Sequence, residues 1–390
     1  MTHRWLVWLC ALLLLAPLAG ARALAAEPYD IYVLVSQTGQ GAFVGKSQPL
    51  AIQAAEDVVN RGGGINGRPV HFVIQDDQTD PALAVQLYNG ILAKHVPVVI
   101  GPGFSAPCFA VLPLVKTEIV QYCLAPSIHP PAGAYSFSGS VSTKDLAAAG
   151  LRYFRQRGWT KIAVIDTTDA TGQDGDQIFK ENLELPENKD FKVVAFEHYA
   201  PADVTVAAQI SRIKASGAQA IYSWVTGTPF GTLLHSVYDS GLDIPIITNA
   251  GNISNTQMSQ YINFLPKEIY FTGLRFLGHN TIGPGPVRNV QNQFYSALRA
   301  KGIEPDLLYS IAWDPVMVVV DALRHVGTDA SAKQVHDYIE QLHSFPGING
   351  IIDFRDGGQR GLTASAALIV RWNPTTKEWI PVSKPGGSPL

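Results

Sequence analysis

The chain has 390 residues and a formal net charge of −3 at pH 7, with a pI near 6.4. That balance supplies no basic face, so nucleic acid is excluded as an expected partner. With an N-terminal export segment set aside, about 365 residues remain, more than one small domain needs and suited to two lobes.

In chain order, Thr2-His3-Arg4 is basic, Trp5–Leu18 is almost wholly apolar, and Ala23-Leu24-Ala25 offers small residues for cleavage. This is the pattern of a secretory signal peptide, expected over residues 1–26 and removed on export to a periplasm. The run is short for a bilayer and is broken by Pro17 and Gly20, which argues against a membrane anchor. Cys10 lies within the apolar run, which argues against a lipid-anchored product. No later run reaches membrane length, so the mature protein is expected to be soluble and without direct membrane insertion; a monomer is the oligomeric state expected.

From Tyr29 strands and helices alternate. Ile31–Ser36 reads as a buried strand, Thr38–Gly45 as a Gly-rich loop, and Pro49–Asn60 as a helix with Ala51, Ile52, Ala55, Val58 and Val59 on one face. Gly62–Gly64 follows a helix and precedes the strand Val70–Gln75, the reverse of a phosphate loop, so it reads as a cap and turn. Asp76-Asp77-Gln78-Thr79-Asp80 lacks the spacing of a calcium loop. Asp80 before Pro81 reads as the cap of a helix over Pro81–Lys94. Val98–Ile100, Cys108–Thr117 and Ile119–Leu124 then form a strand–helix–strand unit, whose crossover makes the strands parallel. Their loops, Gly101–Pro107 and Ala125–Pro131, leave the sheet at one edge, where α/β sheets bind ligands. Cys108 and Cys123 both lie near that edge and are either a disulfide or two buried thiols.

Further along, Ser138–Val141 reads as a short connecting strand. Ser142 or Thr143 caps a helix Lys144–Arg157 that Gly158 stops. Strands Lys161–Ile165, Lys192–Glu197, Ile221–Val225 and Ile244–Thr248 alternate with helices Gln173–Leu183, Val204–Ser216 and Phe230–Ser240, so a second parallel sheet is expected. Ile269–Thr272 starts another strand. A loop Gly273–Pro286 leads to helices Val287–Lys301, Leu307–Val326 and Ser331–Leu342. Gly350–Phe354 and Ala366–Trp372 read as a terminal antiparallel pair.

Thr38-Gly39 with Gly45, GGGINGRPV at 62–70, DDQTDP at 76–81, VVIGP at 98–102, LAPS at 124–127 and GWTKIAVI at 158–165 span nearly the whole mature chain. In this order they resemble the type I periplasmic solute-binding proteins of ABC importers, in the branch of the leucine/isoleucine/valine-binding protein. The resemblance implies an α/β fold of two lobes, each a parallel sheet flanked by helices, joined by three crossing segments. Applied here, one lobe holds 27–144 and 273–350, the other 145–272 and 351–383, with 384–390 a tail. It also implies a ligand trapped in the cleft, permease subunits of the transporter as partners, and no catalysis.

Ser105, Ser127 and His129 offer hydroxyl and imidazole groups for a small anion; the alternative roles are capping for Ser105 and turn formation for the other two. By the resemblance, Ile128 falls about where amino-acid binders place a Thr. Thr171 and Thr226 stand in loops where the family often offers a Tyr. Asn249 begins a loop where amino-acid binders carry an acid for the ligand's ammonium. That missing carboxylate points to an acid without an α-ammonium, unless Asp166 or Asp169 substitutes. Phe43, Phe104, Trp224, Phe230 and Phe276 are candidate walls for an aromatic or apolar body. Arg275 is a candidate counter-ion.

No cofactor and no metal site is expected. The function expected is capture of a small carboxylate, an aromatic or apolar organic acid, by hinge closure for an ABC importer. Amino-acid uptake and ligand sensing for a receptor are the alternatives. An enzyme is disfavoured because no Gly-x-Ser-x-Gly elbow or His-Glu-x-x-His occurs, although Ser105, His129 and Asp166 could in principle form a triad.

Overall fold

The computed structural model describes residues 26–390, so the expected signal peptide lies outside the described residues except for Ala26. The chain opens with β1 (Tyr29–Val35), the single turn α1 (Ala42–Gly45), α2 (Ser47–Arg61), β2 (Val70–Asp76), α3 (Pro81–Leu92), β3 (Val98–Ile100), α4 (Ser105–Val111), β4 (Val120–Cys123) and β5 (Ser136–Ser138). These five strands make one parallel sheet in the order β2-β1-β3-β4-β5. Ile31 to Val35 are all buried, as parallel strands covered on both faces require.

A second series follows: α5 (Thr143–Gln156), β6 (Lys161–Thr167), α6 (Ala170–Glu184), β7 (Lys192–Tyr199), α7 (Ala207–Ala215), β8 (Ala220–Ser223), α8 (Thr228–Asp239), β9 (Ile246–Thr248), α9 (Asn255–Tyr261) and β10 (Ile269–Leu274). The chain then returns to the first lobe through α10 (Pro286–Arg299), α11 (Leu307–Ser310), α12 (Trp313–Val326) and α13 (Ala332–Gln341), which pack on α2, β3 and β4. It crosses back through the hairpin β11 (Phe345–Gly347) and β12 (Gly350–Ile352), the turn α14 (Phe354–Gly357), and β13 (Ala367–Asn373) with β14 (Glu378–Pro381). The second sheet runs β14-β13-β10-β9-β8-β6-β7, with β6 to β10 parallel and β13 and β14 antiparallel. Two lobes are thus linked by three crossings, after β5, after β10 and after β12.

Local signals account for many boundaries. Asp80 accepts the N–H groups of Ala82 and Leu83 at the start of α3. Ser142 accepts from Asp145 N at the start of α5, and Gly158, at φ +74, follows that helix in a conformation that suits glycine. The acidic run before α3 also fastens the loop after β1. Asp76 accepts from Thr38 N and Oγ1, and buried Asp77 accepts from Ser36 Oγ at 2.6 Å.

Three expectations are corrected. The strands at 350 and 367 do not pair with each other: β12 pairs with β11, and β13 pairs with β10 and β14. Pro346 disguised β11, because proline removes a ladder donor. The helix expected over Leu307–Val326 is two helices, broken at Ile311 and Ala312. Pro315 explains the break, since its ring clashes with the carbonyl four residues back, that of Ile311. The loop after β1 contains the helical turn α1.

Cys108 and Cys123 form a disulfide, with Cα atoms 6.3 Å apart. It ties the first turns of α4 to the end of β4. Closing so short a loop contributes about 3 kcal/mol by chain entropy. Replacing both cysteines by serine should lower unfolding free energy by about 2–4 kcal/mol in urea titrations.

Two buried acids set a pH dependence. Asp306 accepts the N–H groups of Asn255 and Leu308, joining α9 to α11, and burial pushes its carboxyl up to about 7. Asp314 accepts those of Ile348 and Asn349 in the β11–β12 turn, and burial pushes it up to about 6. Between the ordinary value of 3.8 and these values, the folded chain keeps protons that the unfolded chain has released. These two groups therefore favour the folded state most in acid, and their contribution declines as pH rises from about 4 to about 7. Asp306→Ala should flatten that part of a stability-against-pH curve measured by urea unfolding.

Candidate functional site

The carboxyl-end loops of the two sheets face each other across a cleft. About 620 Å³ of empty space, part of it open to solvent, lies between them, lined from the first lobe by Val44, Gly103, Phe104, Ser105, Leu124 to Ser127 and Ser140. The second lobe adds Leu146, Thr171, Trp224, Thr226, Asn249, Ala250 and Gly251, and the segment that returns to the first lobe adds Leu307 and Ile311. Every loop that follows β3, β4, β8 and β9 contributes, as the strand-end rule for open α/β sheets requires.

A relay of hydroxyls crosses the cleft. Ser127 Oγ donates to Ser105 Oγ at 2.7 Å, and Thr171 Oγ1 donates to the same oxygen at 3.2 Å from the opposite lobe. Ser105 Oγ accepts twice, so its own proton is the one left to donate. Ser105 also opens α4, whose first N–H groups have no intrahelical partner. With the Ser127 and Thr171 protons used internally, the cluster keeps one hydroxyl proton, that of Ser105, to offer a ligand oxygen.

The remaining wall is apolar or self-satisfied. Trp224 is 2 % exposed and stacks on Tyr222 with ring centroids 5.8 Å apart. Gly175 of α6 lies against its back; a Cβ there would sit 2.5 Å from the Trp224 side chain. Asn249 is committed to its own loop. Its Oδ1 accepts from Gly251 N and Thr226 Oγ1, and its Nδ2 donates to the Val225 carbonyl. None of the residues lining the cleft carries a charged side chain.

Among the sequence candidates, the cleft brings together Phe104, Ser105, Ser127, Thr171, Thr226 and Asn249, with Trp224 as wall. Phe43 does not line it; Val44, its neighbour in α1, does. Ile128 is fully buried against Cys108 and Cys123. Arg275 is half-buried outside the lining. Phe230 packs on Tyr261 and Phe271, and Phe276 on Phe294, all within the core.

His129 is outside as well. Its Nε2 meets Asp174 of α6 at 2.9 Å, and Asp174 also accepts from Thr143 Oγ1 at 2.6 Å. The histidine is thus a contact between the lobes. The triad of Ser105, His129 and Asp166 is not assembled: Asp166 is fully buried, accepts from Trp224 N, and lies beside Asp176. Burial holds its carboxyl well above the ordinary range, with Asp176 adding to the effect. Asp169 caps α6 by accepting from Gly172 N at 3.0 Å. Neither acid substitutes in the wall for a carboxylate at position 249.

Sequence reasoning missed Val44, Ser140, Leu146, Leu307 and Ile311. Pro315, which predicts the break that frees Ile311, was the one available signal.

Residues 28–377 match the periplasmic binding protein family, and the chain belongs to it. A Leu/Ile/Val-binding protein homolog of Brucella abortus is 25 % identical over 335 residues, covering 82 % of this chain and 84 % of its own. Among solved structures, the branched-chain amino acid substrate-binding protein LivJ of Streptococcus pneumoniae, in complex with isoleucine, superposes with a TM-score of 0.75. It is 19 % identical and covers 91 % of this chain and 99 % of its own. A fatty acid ABC transporter substrate-binding protein of Thermomonospora curvata superposes at 0.73 and 16 % identity, over 91 % of both chains. The chain is a periplasmic solute-binding protein, and these relatives are solute binders rather than enzymes.

Gly172 is a sharp local test of the site. A Cβ there would lie 1.9 Å from the Thr167 carbonyl, so alanine must push α6 away from β6. Gly172→Ala should move Thr171 off Ser105 and weaken ligand binding at least tenfold in calorimetry, while the first lobe stays folded.

Proposed function

We propose that the chain captures a small organic carboxylate with an apolar or aromatic body and passes it to the permease of an ABC importer. The observation that carries this reading is the cleft's chemistry: a hydroxyl donor cluster at Ser105, Ser127 and Thr171, facing a wall with no charged side chain. A carboxylate oxygen accepts the proton left on Ser105. An α-ammonium would enter a closed, low-dielectric space without a negative partner, at a cost of several kcal/mol. Trp224, Phe104, Leu124, Leu307 and Ile311 suit a ring or branched chain.

The mechanism is hinge closure. Thr171 belongs to one lobe and Ser105 to the other, so a ligand bound at that junction touches both. Shifting an open–closed pair from 1:99 to 99:1 takes about 5.5 kcal/mol of differential affinity. Hydrogen bonds to a charged group contribute about 1.5–3 kcal/mol each, so two or three that form only on closure suffice. The protein acts as a monomer after export, its lobes divided near 144, 272 and 350, and performs no reaction on the ligand.

Uptake of a branched-chain amino acid is the second reading, favoured by what the Brucella and Streptococcus proteins are named for. A thermal-shift and calorimetry panel of phenylacetate, benzoate, hexanoate, leucine and isoleucine separates the two. Organic acids should stabilise most, by about 2.7 kcal/mol at a hundred times Kd, and be recovered unchanged. If leucine or isoleucine binds more tightly, the amino-acid reading replaces ours.

Ser127→Ala with Ser105→Ala should reduce affinity for the best ligand by about 1.5–3 kcal/mol, with little change in unfolding temperature. Unaltered affinity would remove the hydroxyl cluster from the site.

A further inference from the structure

Arg360 is not in the cleft wall, yet it holds the first-lobe rim of that wall from behind. It enters from the third crossing and is only 8 % exposed. One guanidinium nitrogen donates to Ser138 Oγ at 2.6 Å and to the Ser140 carbonyl at 2.7 Å. The other donates to the Pro126 carbonyl at 3.1 Å and to the Ile128 carbonyl. Its partners are thus the end of β5, the first crossing, and the two residues that flank Ser127.

All four acceptors are neutral. Among the described residues no carboxylate lies within ion-pair distance of the guanidinium. Asp145 and Asp174 act on it from farther away. Asp145 accepts from Ser142 Oγ at 2.8 Å, and Asp174 is held by Thr143 and His129. Burial pulls the guanidinium down to about 10, so it is charged at neutral pH.

A buried cation whose acceptors among the described residues are neutral is screened there only by the more distant Asp145 and Asp174, and low dielectric carries its field further than water does. The Ser127 loop lies between Arg360 and the cleft. In a trans peptide the N–H points opposite to the carbonyl, so anchoring the Pro126 carbonyl on Arg360 turns the Ser127 N–H away from it. The arginine thereby fixes both the polarity and the position of the loop that bears Ser127.

We propose that Arg360 is the counter-charge and positioning residue for a ligand carboxylate, acting through the Pro126–Ile128 loop and linking anion capture to two of the three crossings. The inference rests on the carboxylate reading and extends it: the cleft lining is uncharged, and the Arg360 guanidinium stands one peptide layer behind the Ser127 loop. It assigns to Arg360 the role that the sequence had offered to Arg275.

The test compares acids with their isosteric amides in wild type, Arg360→Lys and Arg360→Met by calorimetry, with circular dichroism melts for folding. Wild type should prefer phenylacetate to phenylacetamide by about tenfold or more. Arg360→Met should shrink that ratio to about threefold or less, while Arg360→Lys keeps it at whatever absolute affinity remains. A purely structural role would weaken acid and amide alike and leave the ratio unmoved, which overturns the proposal. Equal wild-type affinities for acid and amide overturn it without any variant, so misfolding of Arg360→Met does not shelter it. If wild type binds leucine rather than phenylacetate, the reading of an acid without an ammonium falls. Leucine against leucinamide then judges Arg360 by the same ratios.

Discussion

Every strand around the cleft runs toward it, and the site follows from that constraint. Parallel strands joined by right-handed crossovers deliver all their outgoing loops to one edge of a sheet. Two such edges set face to face enclose a space walled by loop ends and helix starts. Those segments carry unpaired N–H groups and short polar side chains, because there the backbone leaves its ladder. Ser105, Ser127, Thr171 and Thr226 all arise in this way. The antiparallel β13 and β14 extend the far edge of the second sheet and leave that arrangement undisturbed.

Charge is sorted by layer. The cleft lining is hydroxyls, amides and hydrocarbon. Behind it stand Asp166, Asp169, Asp174 and Arg360, each engaged by partners other than a ligand. Asp166 shapes the wall by accepting from the Trp224 backbone, Asp169 by capping α6, and Arg360 by anchoring the Ser127 loop. A neutral lining has low desolvation cost for an apolar body, and hydroxyls can turn to suit an oxygen. Under the proposal for Arg360, a charge one layer back biases which oxygen is accepted without demanding a direct ion pair, whose desolvation offsets much of its Coulomb energy.

The lobes also meet outside the ligand space. His129 and Asp174 join them at 2.9 Å beside the cleft, and Asp306 joins α9 to α11 near the crossings. These contacts lie outside the cleft lining and contribute to whichever arrangement has the lobes together, so the free energy of closure includes them. Hydroxyl relay, histidine contact and hinge arginine therefore act as one mechanical unit.

The alternation of strands and helices, the caps at Asp80 and Ser142, and the order of loops at the sheet edges were legible in the sequence. They arise from residues close together in the chain, and periodicity and capping chemistry are local. The hydroxyls Ser105 and Ser127 were legible for the same reason, each lying in the loop after an apolar strand. What the chain order could not carry was orientation across distance. Phe230 and Phe276 turn into the core, Ile128 packs under the disulfide, and His129 finds Asp174 because packing in three dimensions selects each side chain's partner. The sequence by itself determined the two-lobed α/β architecture and the loops that form the cleft. Only the tertiary structure decided which side chains face it and which buried charge stands behind, since those depend on contacts between segments more than 200 residues apart, as Arg360 with Pro126 and Ser138 shows.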